Sequence, residues 1–474
     1  MKKICIVGGG TAGLVTALIL KSRFSSLQID IVKSDKIGII GVGEGSTEHW
    51  KEFAGFVGIT IKELIKETDA TFKWGIMFKD WTKQPYYHNI IDSINNIKFA
   101  QYQAGYAYTI VNNLKPKEYT NKDSWNNKVK HNDLPNQFHF NTFKLNTFLL
   151  KKCKEKDINI YEDEIIKVNI KKDNIESIES QSKKYKHDFY IDSTGFKRLL
   201  ISKLGVKWQS YSKYLPMNEA IAFPTPDTDE YTPYTLAKAM SSGWLWRIPT
   251  NGRWGNGYVF NNQYINAEQA KKECEKYLGH KIEIGKNIKF EAGAIDRAWI
   301  GNCVATGLSS SFIEPLEASS IGTSIQQAFM LMHFIINYKD TDIELYNTRF
   351  KFIVENIRDF VLLHYLTGKK DSKFWKEFKP NLPESLKKNL QKWKHRLPIK
   401  EDFPGGYQLF NQNNFVILLK ELNLIDKKSI KKEYDSLSKG FKDDTEYRIK
   451  EYNEFYNNAN TLGHKQFLQS FYYK

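Results

Sequence analysis

Six consecutive residues near the N-terminus, Gly8-Gly9-Gly10-Thr11-Ala12-Gly13, limit the folds open to this chain more than any other stretch. They follow an apolar run over 3–7 and precede a helical run over 14–21, with a second strand predicted over 28–32. A G-x-G-x-x-G turn between strand and helix lets the backbone double back tightly, approach a pyrophosphate and hold it at the helix N-terminus. Gly8, Gly10, Thr11, Ala12 and Gly13 are therefore candidate dinucleotide-binding residues. Where a ribose-binding carboxylate is expected, about twenty residues on, the chain has Lys33. Ser34 and Asp35 follow and offer substitute oxygens.

The same strand–glycine logic recurs twice. Over 188–200 an apolar strand ends at Asp192-Ser193-Thr194-Gly195, and a helix is predicted to follow. Over 300–326 a strand at 303–306 ends at Gly307, and small residues after Pro315 lead into a helix predicted over 324–336. Backbone N–H groups at such junctions suit an anion or a cofactor. Glu317 lies inside the last of them, as an N-terminal capping group or as a placed catalytic carboxylate.

Other stretches leave alternatives open. Residues 38–48, with Gly41 and Glu44, form a glycine-rich connector that either lies against a ring system or is an ordinary loop. One helix is predicted over 51–72, then an alternating strand through Trp74, Ile76 and Phe78. Lys73, between Phe72 and Trp74, either projects into a lined cavity or snorkels to the surface. Trp244, Trp246 and Ile248 share one face of a strand predicted to end at Pro249, a pattern that core packing alone explains.

Composition narrows the class. A chain of 474 residues, 41% hydrophobic, is long enough for two or three packed domains. We expect a Rossmann-like α/β core over 1–340, with a polar insertion at about 85–135 and a mixed sheet at about 205–290, then a mainly helical region over 341–474. The four cysteines are scattered, without the spacing of a disulfide frame or metal site, so a reducing compartment is expected and no metal. Apolar runs stop short of a membrane span, and glycines interrupt the run after Lys2-Lys3 that mimics a signal peptide, so the expectation is cytoplasmic. The net charge of +16 comes from lysine clusters interleaved with acids, with no nucleic-acid-binding motif, which argues against a nucleic-acid partner.

As a set, several motifs resemble the flavin-dependent halogenases of the tryptophan halogenase family. They are GGGTAG at 8–13, GVGEGST at 41–47, ATFKWGIMF at 70–78, DSTGF at 192–196, GWLWRIP at 243–249 and GLSSSFIEPLEASSI at 307–321. IRDFVLLHY at 357–365 and Phe374-Trp375 extend the resemblance, which spans residues 4 to about 376. It implies the FAD-binding fold of the flavin monooxygenase type, with a substrate-side sheet. It also implies FAD used as FADH2, a separate flavin reductase, O2, a halide ion, and a small electron-rich aromatic substrate such as an indole or phenol. The halogenating agent that the resemblance implies is hypohalous acid. On that resemblance Lys73 and Glu317 are the catalytic pair and the N–H groups of Ser319 and Ser320 bind halide. Gly41, Glu44, Gly195, Leu308 and Ile321 join the glycine turn at the cofactor, and Trp244 and Trp246 keep substrate from flavin. A hydroxylating FAD monooxygenase is the alternative, which W-x-W-x-I-P speaks against. Many family members have P-L-E-S-T-G-I where this chain has Pro315-Leu316-Glu317-Ala318-Ser319-Ser320-Ile321, a form nearer to phage-encoded and broad-substrate members. Ala318 and Ser320 thus motivate an expected preference for bromide or iodide over chloride. Homo-oligomerisation is left open.

Overall fold

A computed structural model describes residues 1–39, 44–89, 105–112, 137–457 and 463–473. At its centre is a six-stranded sheet, in the order Trp299–Ile300, Cys303–Ala305, Phe189–Asp192, Lys3–Val7, Gln28–Lys33, Asn159–Glu162. All neighbours are parallel except the first pair. Ile4, Cys5, Ile6 and Val7 are all buried, as a parallel strand covered on both faces requires. The chain runs outward from Lys3–Val7 in both directions, so the strand order reverses there and a crevice opens at the carboxyl ends. The register aligns Val7 with Asp192 and Asp192 with Ala305, so all three strands that lead into glycine turns finish side by side.

Three helix predictions change. The span predicted as one helix over 51–72 is two, His49–Val57 and Ile61–Thr68, because Gly58 adopts a left-handed conformation (φ 80°) that ends the first. Residues 71–73 then belong to a strand, Thr71–Lys73. After Gly195 there is no α-helix but two 3₁₀ turns, Gly195–Lys197 and Ile201–Leu204. Asp192 accounts for it: its carboxylate accepts from the backbone N–H of Thr194, Leu200 and Ile201 and from the hydroxyls of Thr194 and Ser309, at 2.7–3.0 Å. Those bonds curl the chain back on the strand end and tie the second turn to the third. The helix predicted from Ser324 starts at Ser319 and runs to Phe334.

A second sheet of seven strands holds Gly243–Thr250 between Arg253–Phe260 and Thr235–Met240, and Gly75–Lys79 joins it parallel to Thr235–Met240. The tryptophan strand continues past Pro249 to Thr250. Gly257 lies opposite Trp246, and a Cβ there would fall 1.9 Å from the indole, so the glycine lets that ring lie across the neighbouring strand. A small sheet, Glu44–Gly45, Gln137–Phe140, Thr71–Lys73, connects the two larger ones. Beyond residue 319 the chain is helical, including the 25-residue Asp340–His364 and the terminal His464–Tyr473. Among the described residues no helix is long and apolar enough to cross a membrane.

Candidate active site

The three glycine turns border one cleft of about 560 Å³. Gly8, Gly10, Thr11, Ala12, Gly195, Leu308, Ser320 and Ile321 line it, as does Lys33, which pairs with Asp35. Gly13 serves differently. It packs against the Gly8 carbonyl and Ser193, where a Cβ would lie 2.5 Å from the carbonyl oxygen, so it permits close helix–strand contact. Gly41 lies outside the described residues. The Glu44 backbone pairs with Phe140 at the edge of the small sheet.

The cleft fits a flavin dinucleotide by its own chemistry. No side chain caps the helix Thr11–Arg23 and its first turn carries no acid, so its N–H groups and dipole face the cleft. The Ser193 and Thr306 hydroxyls, both on the cleft wall, are buried and without a partner among the described residues. A ligand rich in acceptors and donors supplies what they lack.

Next to the cleft is a second cavity of about 160 Å³, walled by Trp244, Trp246, Ile248 and Phe312 and reaching Gly45 and Ala318. Phe196, Leu308, Ser320 and Ile321 border both spaces. A third, of about 10 Å³, lies between Gly307, Phe312, Ser319, Ser320 and Thr323, at the start of the helix Ser319–Phe334.

Lys73 and Glu317 lie at the far side. Lys73 does not snorkel: it is fully buried and its Nζ donates to the Ser46 carbonyl at 2.8 Å. Burial lowers its pKa to about 8, against the attraction of Glu317 and Glu48. Gly45 lies beside it and beside Ala318; a Cβ there would sit 3.5 Å from Lys73 Nζ and 3.4 Å from Ala318 Cβ, in ordinary contact. Glu317 is not a helix cap either. It ends the 3₁₀ turn Pro315–Glu317, and Ala318, held at φ 52°, turns the chain into the helix without any side-chain cap.

The carboxylate is instead clamped between two histidines. His88 Nδ1 meets Oε2 at 2.7 Å, and His364 Nε2 lies 2.7 Å from Oε1 without hydrogen-bond alignment, its own pKa lowered by burial. Burial alone would raise the carboxyl pKa, but the two imidazoles outweigh it and hold it at about 2. The His88 proton can be placed. Asn414 accepts from the Asn411 N–H through Oδ1 (2.7 Å), so its amide N–H faces His88 Nε2 (3.1 Å) and leaves the His88 proton on Nδ1, toward Glu317. Tyr86 and His364 Nδ1 are 3.0 Å apart, an equivalent arrangement on the other side. Each inner histidine nitrogen faces a carboxylate oxygen rather than an ion, and no described group of residues could hold a metal. Behind Lys73, His464 accepts from the Phe72 N–H at 3.1 Å, and burial lowers that imidazole to about 4.

Sequence reading did not single out His88, His364, Asn414, Tyr86 or His464. His364 stands within IRDFVLLHY, a motif noted without a role for any of its residues. The others carry no local signal of this site, because the partners they meet there lie 229 to 392 residues away.

The sequence model described as tryptophan halogenase matches residues 3–437. Tryptophan 6-halogenase SttH of Streptomyces toxytricini is 29% identical over 465 residues, covering 88% of each chain. Tryptophan 7-halogenase RebH of Lentzea aerocolonigenes is 27% identical over 478 residues, covering 89% of this chain and 90% of its own. Among solved structures Tar14, a tryptophan C-6 flavin-dependent halogenase from taromycin biosynthesis, superposes with a TM-score of 0.85 over all of both chains at 24% identity, a likeness of fold.

Proposed function

The chain belongs to the tryptophan halogenase family, and from that premise we propose that it uses FADH2, O2 and a halide to form hypohalous acid, which Lys73 and Glu317 direct onto an electron-rich aromatic ring. Flavin-dependent halogenation of aromatic substrates follows from membership itself. The observation that carries the finer reading is a buried ammonium–carboxylate pair set apart from the dinucleotide cleft by the tryptophan-walled cavity.

Reduced flavin, supplied by a separate reductase, would provide the electrons that activate O2 for halide oxidation. The glycine turns bind it through backbone N–H groups, and the ion-sized space at Ser319 and Ser320 suits a halide at a helix start. Trp244 and Trp246 wall the path from there toward Lys73 and keep the ring from the flavin. With a pKa of about 8, Lys73 is mostly ammonium at neutral pH, so it donates to the oxygen of hypohalous acid and polarises the O–halogen bond. Glu317 stays ionised, stabilises the cationic ring and accepts its proton; a weak base suffices, because a protonated arene is a far stronger acid than a carboxylic acid. We assign the helical region 341–474 to the substrate side; most of the insertion at 85–135, expected on the same side, lies outside the described residues.

The test is a coupled reaction with FAD, a flavin reductase, NADH and each of chloride, bromide and iodide, offered indoles and phenols and read by mass spectrometry. Halogenated product that vanishes in Lys73→Ala is expected. Hydroxylated product would overturn the reading in favour of a monooxygenase.

A further inference from the structure

The small sheet that carries Lys73 has two unlike faces. On one, Phe72 packs on Phe138 and Phe138 on Phe140, with ring centroids 5.6 and 6.2 Å apart. Residues directly opposite in an antiparallel pair share a face. Thr71 lies opposite His139 and Lys73 opposite Gln137, so these four occupy the other, polar face. Three of the four are partnered. Thr71 donates to the Pro249 carbonyl at 2.7 Å, His139 bonds Thr71 and Thr235 at 3.1 and 2.8 Å, and Lys73 donates to Ser46.

Gln137 is the exception. Its side chain is fully buried, and neither Oε1 nor Nε2 has a hydrogen-bond partner among the described residues. A buried carboxamide with both ends unmet is costly, whereas leucine would fill the same volume without that cost. Such a group is accounted for when a ligand completes its bonds.

We propose that Gln137 is a substrate-contacting residue, whose carboxamide binds a neutral hydrogen-bonding group on the aromatic ring presented to Lys73. Oε1 accepts from a ring N–H or a phenolic O–H, and Nε2 is left to donate to an adjoining oxygen. An uncharged amide beside a buried lysine suits a neutral ring substituent, because a second charge there would need its own counter-ion. Its place opposite Lys73 sets the contact at the reacting ring rather than at a distant tail. This rests on the halogenase reading and narrows its substrate class to rings that carry their own donor.

Three measurements on Gln137→Leu, with Gln137→Met as a second variant, test it. Without substrate, both variants should melt several degrees above the wild type, since an unmet amide has been removed; a lower melting temperature would show the amide to be paired internally and overturn the proposal. In the coupled reaction with bromide, hypohalous acid caught by a diketone trap should form at the wild-type rate. With indole against N-methylindole and phenol against anisole, the wild type should favour the donor-bearing ring by about tenfold in kcat/KM, the worth of one hydrogen bond. The variants should lose that preference through KM. Equal turnover of each pair by the wild type, or none, overturns the proposal, as does a preference that survives in the variants. Absence of trapped hypohalous acid from the wild type would instead remove the halogenase reading, and the melting temperatures would still decide whether the amide is unmet.

Discussion

The dinucleotide cleft and the Lys73–Glu317 chamber lie on either side of the tryptophan-walled cavity and are built from opposite materials. The cleft is made largely of backbone: three strand ends aligned in register, with glycines where a Cβ would intrude. It is open, and its binding groups belong to segments that end by Ser324. The chamber is made of side chains. Two histidines, an asparagine and a tyrosine from three separate elements surround one carboxylate, and the lysine opposite is fully sealed. A backbone site tolerates much change in side chains and little in geometry; a side-chain site behaves the other way.

Substitutions should therefore separate the two regions. The largest effect is expected from Lys73→Ala, which should cut halogen transfer by about 10²–10⁴-fold while FAD affinity, read by fluorescence quenching, stays unchanged. In the wild type, transfer at saturating FADH2 should fall as pH rises through about 8, where the ammonium is lost. A rate that rises there would replace the ammonium role with a haloamine formed on the free amine.

His364→Leu removes one of the two imidazoles that face a buried carboxylate. We expect a loss of roughly 3–5 kcal/mol in denaturant unfolding and a raised Glu317 pKa. Equal stability in the variant would break the picture of a clamped anion.

Acidification probes the support behind Lys73. His464 has a folded pKa of about 4 against an ordinary value of 6.5, so between those values the unfolded chain binds a proton that the folded chain does not. Stability should fall as pH drops through that window, by up to about 3 kcal/mol. His464→Gln, which keeps an acceptor for Phe72, should flatten the slope.

Smaller effects should fall on the cleft and on the border. Gly307 has φ 61°, and a Cβ there would lie 2.5 Å from Ala12 Cβ. Gly307→Ala should weaken FAD binding about tenfold, the worth of 1–2 kcal/mol of strain, with turnover per bound flavin preserved. Ser320→Gly should shift the bromide-to-chloride product ratio only a few-fold, measured by competition; a clear chloride preference in the wild type would remove the expectation attached to Ser320.

Which features could be read from sequence follows from the same contrast. Gly8–Gly13, Gly195 and Gly307 announced the cleft because a backbone requirement is written at its own position. Lys73 and Glu317 were ambiguous by themselves, as a snorkelling lysine and a capping acid, and stood out through the family resemblance. The helix predicted after Gly195 failed because Asp192 captures the N–H groups that would have started it. The helix predicted across 51–72 missed the stop at Gly58. His88, His364 and Asn414 were invisible for a different reason: a buried histidine bonded to a residue hundreds of positions away looks, in one dimension, like any other.

The bond from Phe72 to His464 joins residues 392 positions apart, and that separation has a meaning in time. During synthesis the segments that line the dinucleotide cleft are all made once Ser324 is in place. The chamber must wait for His364, then Asn414, then His464. Synthesis therefore has an order, in which every segment of the dinucleotide cleft is made before the residues that complete the surroundings of Lys73 and Glu317.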